Sequence, residues 1–126
     1  MRKQYYFQPS DRGLLSWDVD RLVRLSKALP RKRVPLAAIR ELDEAWSRGE
    51  PVTWRSMIEH IRLMDAADLA YPIILSAAGR VMDGMHRVAK SAREGQPDID
   101  AVQFDVDPSP DHVGRGPNDL PYEPDE

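Results

Sequence analysis

One strand-turn-helix segment constrains the fold more than any other part of the chain. Residues 71–75 form an apolar run, a tight turn of small residues follows, and residues 80–82 return as a second short apolar run. Two such runs around a glycine-containing turn predict a β-hairpin. Residues 84–94 then predict a helix that Gly95 terminates. The chain must therefore pass from a strand into a helix at Gly84.

A glycine between a strand and a helix favours an anion-binding site. The first N–H groups of a helix have no intrahelical partner and carry the positive end of the dipole, and glycine lets a ligand approach them closely. In this helix His86, Lys90 and Arg93 recur at helical spacing, which predicts a cationic stripe from the helix start. A purely structural interpretation also stands, in which Asp83 caps the helix and Arg87 and Lys90 are solvated charges.

The remaining body alternates strand and helix patterns. Residues 5–7 predict a strand, and Ser16 is predicted to cap a helix over residues 17–29. Residues 37–46 predict a short helical or turn segment, and residues 99–104 alternate as a final strand. We therefore expect an α/β fold, in which helices pack around a small mixed sheet.

A second amphipathic helix is predicted over residues 54–66, with Thr53 as its cap and a turn at residues 47–51 before it. Apolar side chains recur at helical spacing at Trp54, Met57, Ile58, Ile61 and Met64. Such a stripe usually faces the protein interior, so we expect it to be core. We expect His60 to lie on the surface.

The last 22 residues differ from the body in composition. Residues 105–126 contain five of the eleven prolines, seven acidic residues and one basic residue. Such a segment buries too little apolar surface to offset its ordering entropy. We predict one domain over residues 1–104 followed by an extended, solvated acidic tail. Docking of a protein partner, or masking of the basic body, is the alternative role for the tail.

Composition excludes several functional classes. The chain has no cysteine, so it has no disulfide, thiolate nucleophile or thiolate metal site. His60, His86 and His112 lack i, i+4 metal spacing, so a dedicated zinc site is not expected. No run approaches the roughly 18 apolar residues that cross a bilayer, and the N-terminus lacks a signal-peptide core. We expect a cytoplasmic protein with no membrane association.

The charge balance also bears on nucleic acids. Without the seven acidic residues and one basic residue of the tail, residues 1–104 hold 14 acidic and 17 basic residues. An excess of three positive charges is small beside the basic footprint of a nucleic-acid-binding protein. DNA is therefore not an expected partner, and a DNA-binding or nuclease role is the weakest hypothesis.

The segment around Asp83-Gly84-Met85-His86-Arg87 resembles the signature stretch of the ParB/sulfiredoxin-like superfamily, where an apolar strand, a hairpin and a Gly-x-His-Arg-type helix start occur in this order. The resemblance covers about residues 33–104. It implies a bound nucleoside triphosphate or diphosphate, with or without Mg²⁺, whose phosphates contact His86 and Arg87. Together with the helix start and the cationic stripe, the candidate binding residues are Gly84, Met85, His86, Arg87 and Lys90.

The branches of this superfamily imply different activities. Sulfiredoxins carry a nucleophilic cysteine where this chain has Met85, so their repair activity is excluded. ParB partition proteins use a Gly-Glu-Arg-Arg motif, from which this chain departs, and no DNA-reading domain is expected after Phe104. A third branch, with an Asp-Gly-x-His-Arg motif, contains kinases that phosphorylate free serine with a loop glutamate as base.

Two functions follow from the resemblance. The first is a nucleotide-binding module with a regulatory or interaction role. The second is a small Mg²⁺-dependent phosphotransferase or nucleotide hydrolase, in which Asp83 would hold the metal ion. One of three loop carboxylates would then act as base, those of Glu41, Asp43 and Glu44. We favour the first, because spacing does not identify the catalytic carboxylate.

Overall fold

A computed structural model describes residues 3–45 and 51–123. Within these ranges the chain forms two sheets and three α-helices, which confirms the expected mixture of helix and strand in a small α+β fold. The strands are β1 (Tyr5–Ser10), β2 (Gly13–Asp18), β3 (Lys32–Pro35), β4 (Ile73–Leu75), β5 (Val81–Asp83), β6 (Asp98–Gln103) and β7 (His112–Val113). The helices are α1 (Val19–Ser26), α2 (Trp54–Ala66) and α3 (Met85–Arg93).

The central sheet has four strands in the order β3-β6-β4-β5. The β4 and β5 strands form the predicted antiparallel hairpin, β4 and β6 run parallel, and β3 pairs with β6 in antiparallel register. The segment predicted over residues 37–46 forms two short 3₁₀ turns, Leu36–Ala38 and Arg40–Asp43. The sheet therefore joins the predicted hairpin to two strands that lie far from it in sequence.

Both faces of the central sheet are buried, which explains the uninterrupted apolar run of β4. Ile73 and Leu75 point into one core beneath α3, and Ile74 points into a second core on the opposite face. The first core also contains Leu36, Ile39, Val81, Val88, Ile99 and Ala101. The second core contains Leu15, Trp17, Leu22, Met82, Val102 and Phe104.

The N-terminal region differs from the prediction. Residues 13–18, of which the last two were expected to begin a helix, form β2, which pairs with β1 along its whole length. Ser16 is buried in this strand and does not cap a helix. The cap of α1 is Asp18, whose Oδ1 accepts a hydrogen bond of 2.9 Å from the Asp20 N–H. Burial of Trp17 in the second core stabilises the strand more than the helical spacing of the neighbouring apolar residues favours a helix.

The bounds and cap of α2 agree with the prediction, and Thr53 and Ser56 form a reciprocal capping box. The expectation that its apolar stripe is core is wrong. No residue of α2 is buried, and the side chain of Trp54 is 81% exposed. Periodicity shows that a helix is amphipathic and leaves open which surface covers the apolar face. The turn predicted over residues 47–51 falls largely outside the described residues.

The prediction of a solvated tail is wrong for residues 105–123. The β7 strand extends the N-terminal sheet by pairing with β2, and the Trp17 indole donates a hydrogen bond of 2.8 Å to the Pro108 carbonyl. Leu120 is buried. Hydrogen bonds from Asp18 and Arg21 to Asp111, from Arg21 to Ser109 and from Ala77 to Asp107 also attach this acidic, proline-rich segment to the body. Within the described ranges, no helix has the length and apolar character needed to span a membrane.

Candidate functional site

A cleft of about 900 Å³ opens at the junction of β5 and α3. Its wall contains the predicted site residues from Asp83 to Arg87. Four further segments complete it: the N-terminal strand region at Lys3 and Tyr5, Val19 at the start of α1, the C-terminal half of α2, and Tyr122 of the tail. Sequence reasoning did not find these segments, although Tyr122 stands out as an aromatic residue in an acidic, proline-rich tail.

Gly84 is the N-cap residue of α3 and adopts a left-handed conformation, with φ 103° and ψ 23°. A Cβ at this position would lie 2.7 Å from the Ile73 Cγ2 atom, so the close contact with β4 requires glycine. No side chain caps the helix, contrary to the structural interpretation of Asp83. The first bond of the helix runs from the Val88 N–H to the Gly84 carbonyl at 3.1 Å. The helix start is therefore open to the cleft.

The Arg87 guanidinium is bound by the protein itself. It donates hydrogen bonds of 2.5 Å to the Pro72 carbonyl and 3.4 Å to the Tyr71 carbonyl. Its Nη2 atom lies 3.2 Å from the Asp83 carboxylate. Arg87 thus links Asp83, at the end of β5, to the carbonyl groups of the two residues that precede β4.

Lys90 and Arg93 do not extend a cationic stripe into the cleft. Lys90 Nζ donates hydrogen bonds to the carbonyls of Asp65 at 3.1 Å and Ala67 at 2.8 Å, at the C-terminal end of α2. Arg93 forms an ion pair with the Asp65 carboxylate. Cations are favourable at a helix C-terminus, so the stripe anchors α2 to α3.

The loop carboxylates lie beside Arg80. Glu41 Oε2 accepts a hydrogen bond of 2.6 Å from the Val81 N–H and lies 3.5 Å from Arg80 Nε. Glu44 binds the same guanidinium through both of its oxygens, at 2.6 and 2.9 Å. Glu41, Glu44 and Asp43, which belongs to the same turn, are not among the residues that line the cleft.

Asp83 is the candidate metal ligand within the cleft. Its carboxylate already faces the Arg87 guanidinium, as described above. Among the described residues, no three His, Asp or Glu side chains are grouped so that they could hold a metal ion.

His60 and His86 form a pair that the sequence did not predict. Nδ1 of His60 lies 3.2 Å from Nε2 of His86, and the two rings join α2 to the first turn of α3. His60 is half-buried, so its assignment to the surface is wrong. Burial, together with the neighbouring His60 ring, lowers the pKa of His86 below its usual value of 6.5. No local signal brings together residues separated by 26 positions.

This pair predicts a pH-dependent stability. Because the pKa of His86 is lower in the folded state, the unfolded chain binds more protons as the pH falls through about 6.5. The contribution of neutral His86 to the free energy of unfolding is therefore fully present above about pH 6.5, and it is lost as the pH falls through the lower pKa of the folded state. Urea unfolding between pH 8 and pH 5 should show a falling free energy of unfolding, with a shallower slope in a His86→Gln variant. Equal slopes in the two proteins would contradict the assignment to His86.

Comparison of the chain with family models, curated proteins and solved structures finds no match. The relation to the ParB/sulfiredoxin-like superfamily therefore remains a hypothesis that rests on the motif residues of this chain.

Proposed function

We propose that the cleft binds a phosphate-bearing small ligand at the start of α3, with a nucleotide as the class that the superfamily resemblance implies. The observation that carries the proposal is the glycine-capped helix start, which has no side-chain cap and opens into the cleft. The N–H groups of Met85, His86 and Arg87 precede the first intrahelical bond, so they are the donors that an anion would meet.

The size and lining of the cleft are compatible with a nucleotide. Ligand sites usually have volumes of roughly 300–1,000 Å³, a range that includes this cleft. The rings of Tyr5 and Tyr122 lie on its wall, with centroids 5.4 Å apart and planes at 89°. An aromatic wall beside an anion site offers one surface for a base and another for its phosphates.

The local charges support binding through the backbone. Lys3 Nζ is 2.8 Å from the Asp18 carboxylate, and Arg87 is paired with Asp83, so each cation of the cleft has a carboxylate partner. The first turn of α3 contains no acidic residue, so the backbone N–H groups there supply positive potential to the cleft. We assign phosphate binding chiefly to the N–H groups and to His86, in place of the Arg87 side chain.

The proposal is for binding with a regulatory or interaction role. A phosphotransferase would require a base beside the ligand, whereas Glu41 and Glu44 contact Arg80 outside the cleft. Asp43 does not line the cleft either, and the carboxylate that does, that of Asp83, is paired with Arg87. These contacts favour a ligand that is bound without turnover.

A negative charge introduced at the start of α3 tests whether an anion binds there. His86→Glu should weaken binding of ATP, CTP and pyrophosphate by roughly 10- to 150-fold, because it replaces a hydrogen-bond donor worth about 1.5–3 kcal/mol with a repelling charge. A carboxylate in the first turn favours the helix, so α3 should remain folded. Calorimetry measures the affinities.

The matched control is Gln96→Glu, which adds the same charge beyond the opposite end of α3, at an exposed residue. It should bind like the wild type. Failure of the wild-type protein to bind any of the three probes, or equal affinities in both variants, would overturn the proposal.

A further inference from the structure

His60 of α2 reaches the cleft through the ring of His86. Its Nδ1 atom lies 3.2 Å from Nε2 of His86, and both rings are half-buried. His86 lines the cleft, whereas His60 is not among the described residues that do. Any influence of His60 on a ligand in the cleft is therefore transmitted by the His86 ring.

The contact between the two rings has the geometry of a hydrogen bond. The ring centroids are 5.4 Å apart and the two nitrogens 3.2 Å apart, a difference close to twice the radius of an imidazole ring. The two nitrogens thus point at each other. In such a contact one nitrogen carries a proton and donates, and the other is bare and accepts. The tautomer of each ring is therefore linked to the tautomer of the other.

The tautomer of His86 decides what its ring offers to a ligand. Nε2 is engaged with His60, and among the described residues no hydrogen bond reaches Nδ1 of His86. Nδ1 is also the ring nitrogen closer to the main chain, and so to the N–H groups at the start of α3. A protonated Nδ1 donates to an anion, whereas a bare Nδ1 presents a lone pair that repels it.

A neighbouring donor is needed to place the proton on Nδ1. Neutral histidine in water prefers the tautomer with its proton on Nε2. An Nδ1–H of His60 reverses this preference, because it requires Nε2 of His86 to be bare. Burial, together with the His60 ring, lowers the pKa of His86, so the ring is neutral at pH 7 to 8 and its tautomer matters there.

We propose that His60 is a positioning residue for the ligand: by donating from Nδ1 to Nε2 of His86, it keeps the His86 proton on Nδ1, where it binds the anion. This inference rests on the proposed binding of an anion at the start of α3. The α2 helix then contributes to the site by orienting a donor on α3, as the partners of site histidines commonly do.

The influence of His60 should disappear at low pH. An imidazolium donates from both nitrogens, so a charged His86 binds an anion whatever its neutral tautomer. Other titratable side chains of the cleft wall and of the adjoining turns of α2 and α3 have ordinary pKa values below about 5 or above about 9. They include Lys3, Tyr5, Asp65, Asp83, Arg87, Lys90 and Tyr122. Because pyrophosphate and His112, whose ring contacts Tyr5, also titrate near neutrality, affinities are compared between proteins at one pH.

Calorimetry with pyrophosphate tests the proposal. At pH 8, His60→Leu should bind roughly 10-fold more weakly than the wild type, which corresponds to the loss of about one hydrogen bond. At pH 5.5 the two affinities should converge. His60→Asn should restore binding at pH 8 to within about 2-fold of the wild type, because the Asn amide N–H takes the place of Nδ1–H. The packing control is Met64→Leu, a volume-conserving change at a half-buried residue one turn along α2, which should bind like the wild type.

Nitrogen NMR of the imidazole rings measures the tautomer without any ligand. At pH 8, His86 should carry its proton on Nδ1 in the wild type and on Nε2 in His60→Leu. A wild type with the proton on Nε2 overturns the role of His60, as do equal pyrophosphate affinities of the wild type and His60→Leu at pH 8. Either result leaves anion binding at α3 intact. A wild type that binds none of ATP, CTP and pyrophosphate overturns the binding proposal, and this inference with it.

Discussion

A chain truncated after Val106 is expected to lose at least about 3 kcal/mol of stability and to melt roughly 10 °C or more below the full-length protein. The deletion removes β7 and the carbonyl that accepts the Trp17 indole hydrogen bond. It also removes Asp111, whose carboxylate accepts hydrogen bonds from the Asp18 N–H at 2.8 Å and from Arg21 at 3.2 Å. Loss of buried Leu120 adds about 2 kcal/mol.

A chain ending at Glu123 is the matched control, because it retains all of these contacts. Differential scanning calorimetry of the three proteins measures the effect. Equal melting temperatures for the full-length chain and the chain truncated after Val106 would show that the tail contributes nothing to the fold. Since Tyr122 lines the cleft, the same truncation should also alter ligand affinity.

Replacement of Gly84 by alanine is expected to destabilise the fold by about 2–4 kcal/mol. Two costs combine. The backbone has φ 103°, which L-residues rarely adopt, and the new Cβ would lie 2.7 Å from Ile73 Cγ2 and 3.3 Å from Arg87 Cζ. Ile73 is fully buried in the first core, so it has little room to move. Urea unfolding measures the loss.

Gly95→Ala supplies the control, because Gly95 also has a positive φ, 74°, but a Cβ there would meet nothing within 4 Å. This variant should lose only about 1 kcal/mol, the conformational cost without the clash. Similar losses in the two variants would show that the contact with Ile73 is unimportant. A fully stable Gly84→Ala protein would contradict the described junction of β5 and α3.

Local signals predicted the elements around the cleft. The hairpin follows from two apolar runs around a glycine turn. Thr53 begins α2 and Gly95 terminates α3, each through hydrogen bonds to residues no more than a few positions away. The open helix start at Gly84 was predicted on the same grounds. The N-terminal helix was misplaced, because β2 owes its conformation to β1 and to the second core, which local spacing does not describe.

The amino-acid sequence by itself determined those features whose partners lie within about one helical turn or one hairpin, since local backbone preferences and caps act over that distance. Tertiary structure alone decided what the long polar side chains bind. Arg87 reaches carbonyls 15 and 16 residues away, Lys90 reaches the end of α2, and Trp17 reaches a carbonyl 91 residues away. Burial of the two cores brings distant chain segments together, and this decides which backbone groups contact a guanidinium, an ammonium or an indole. The spacing of residues in the sequence does not predict these contacts.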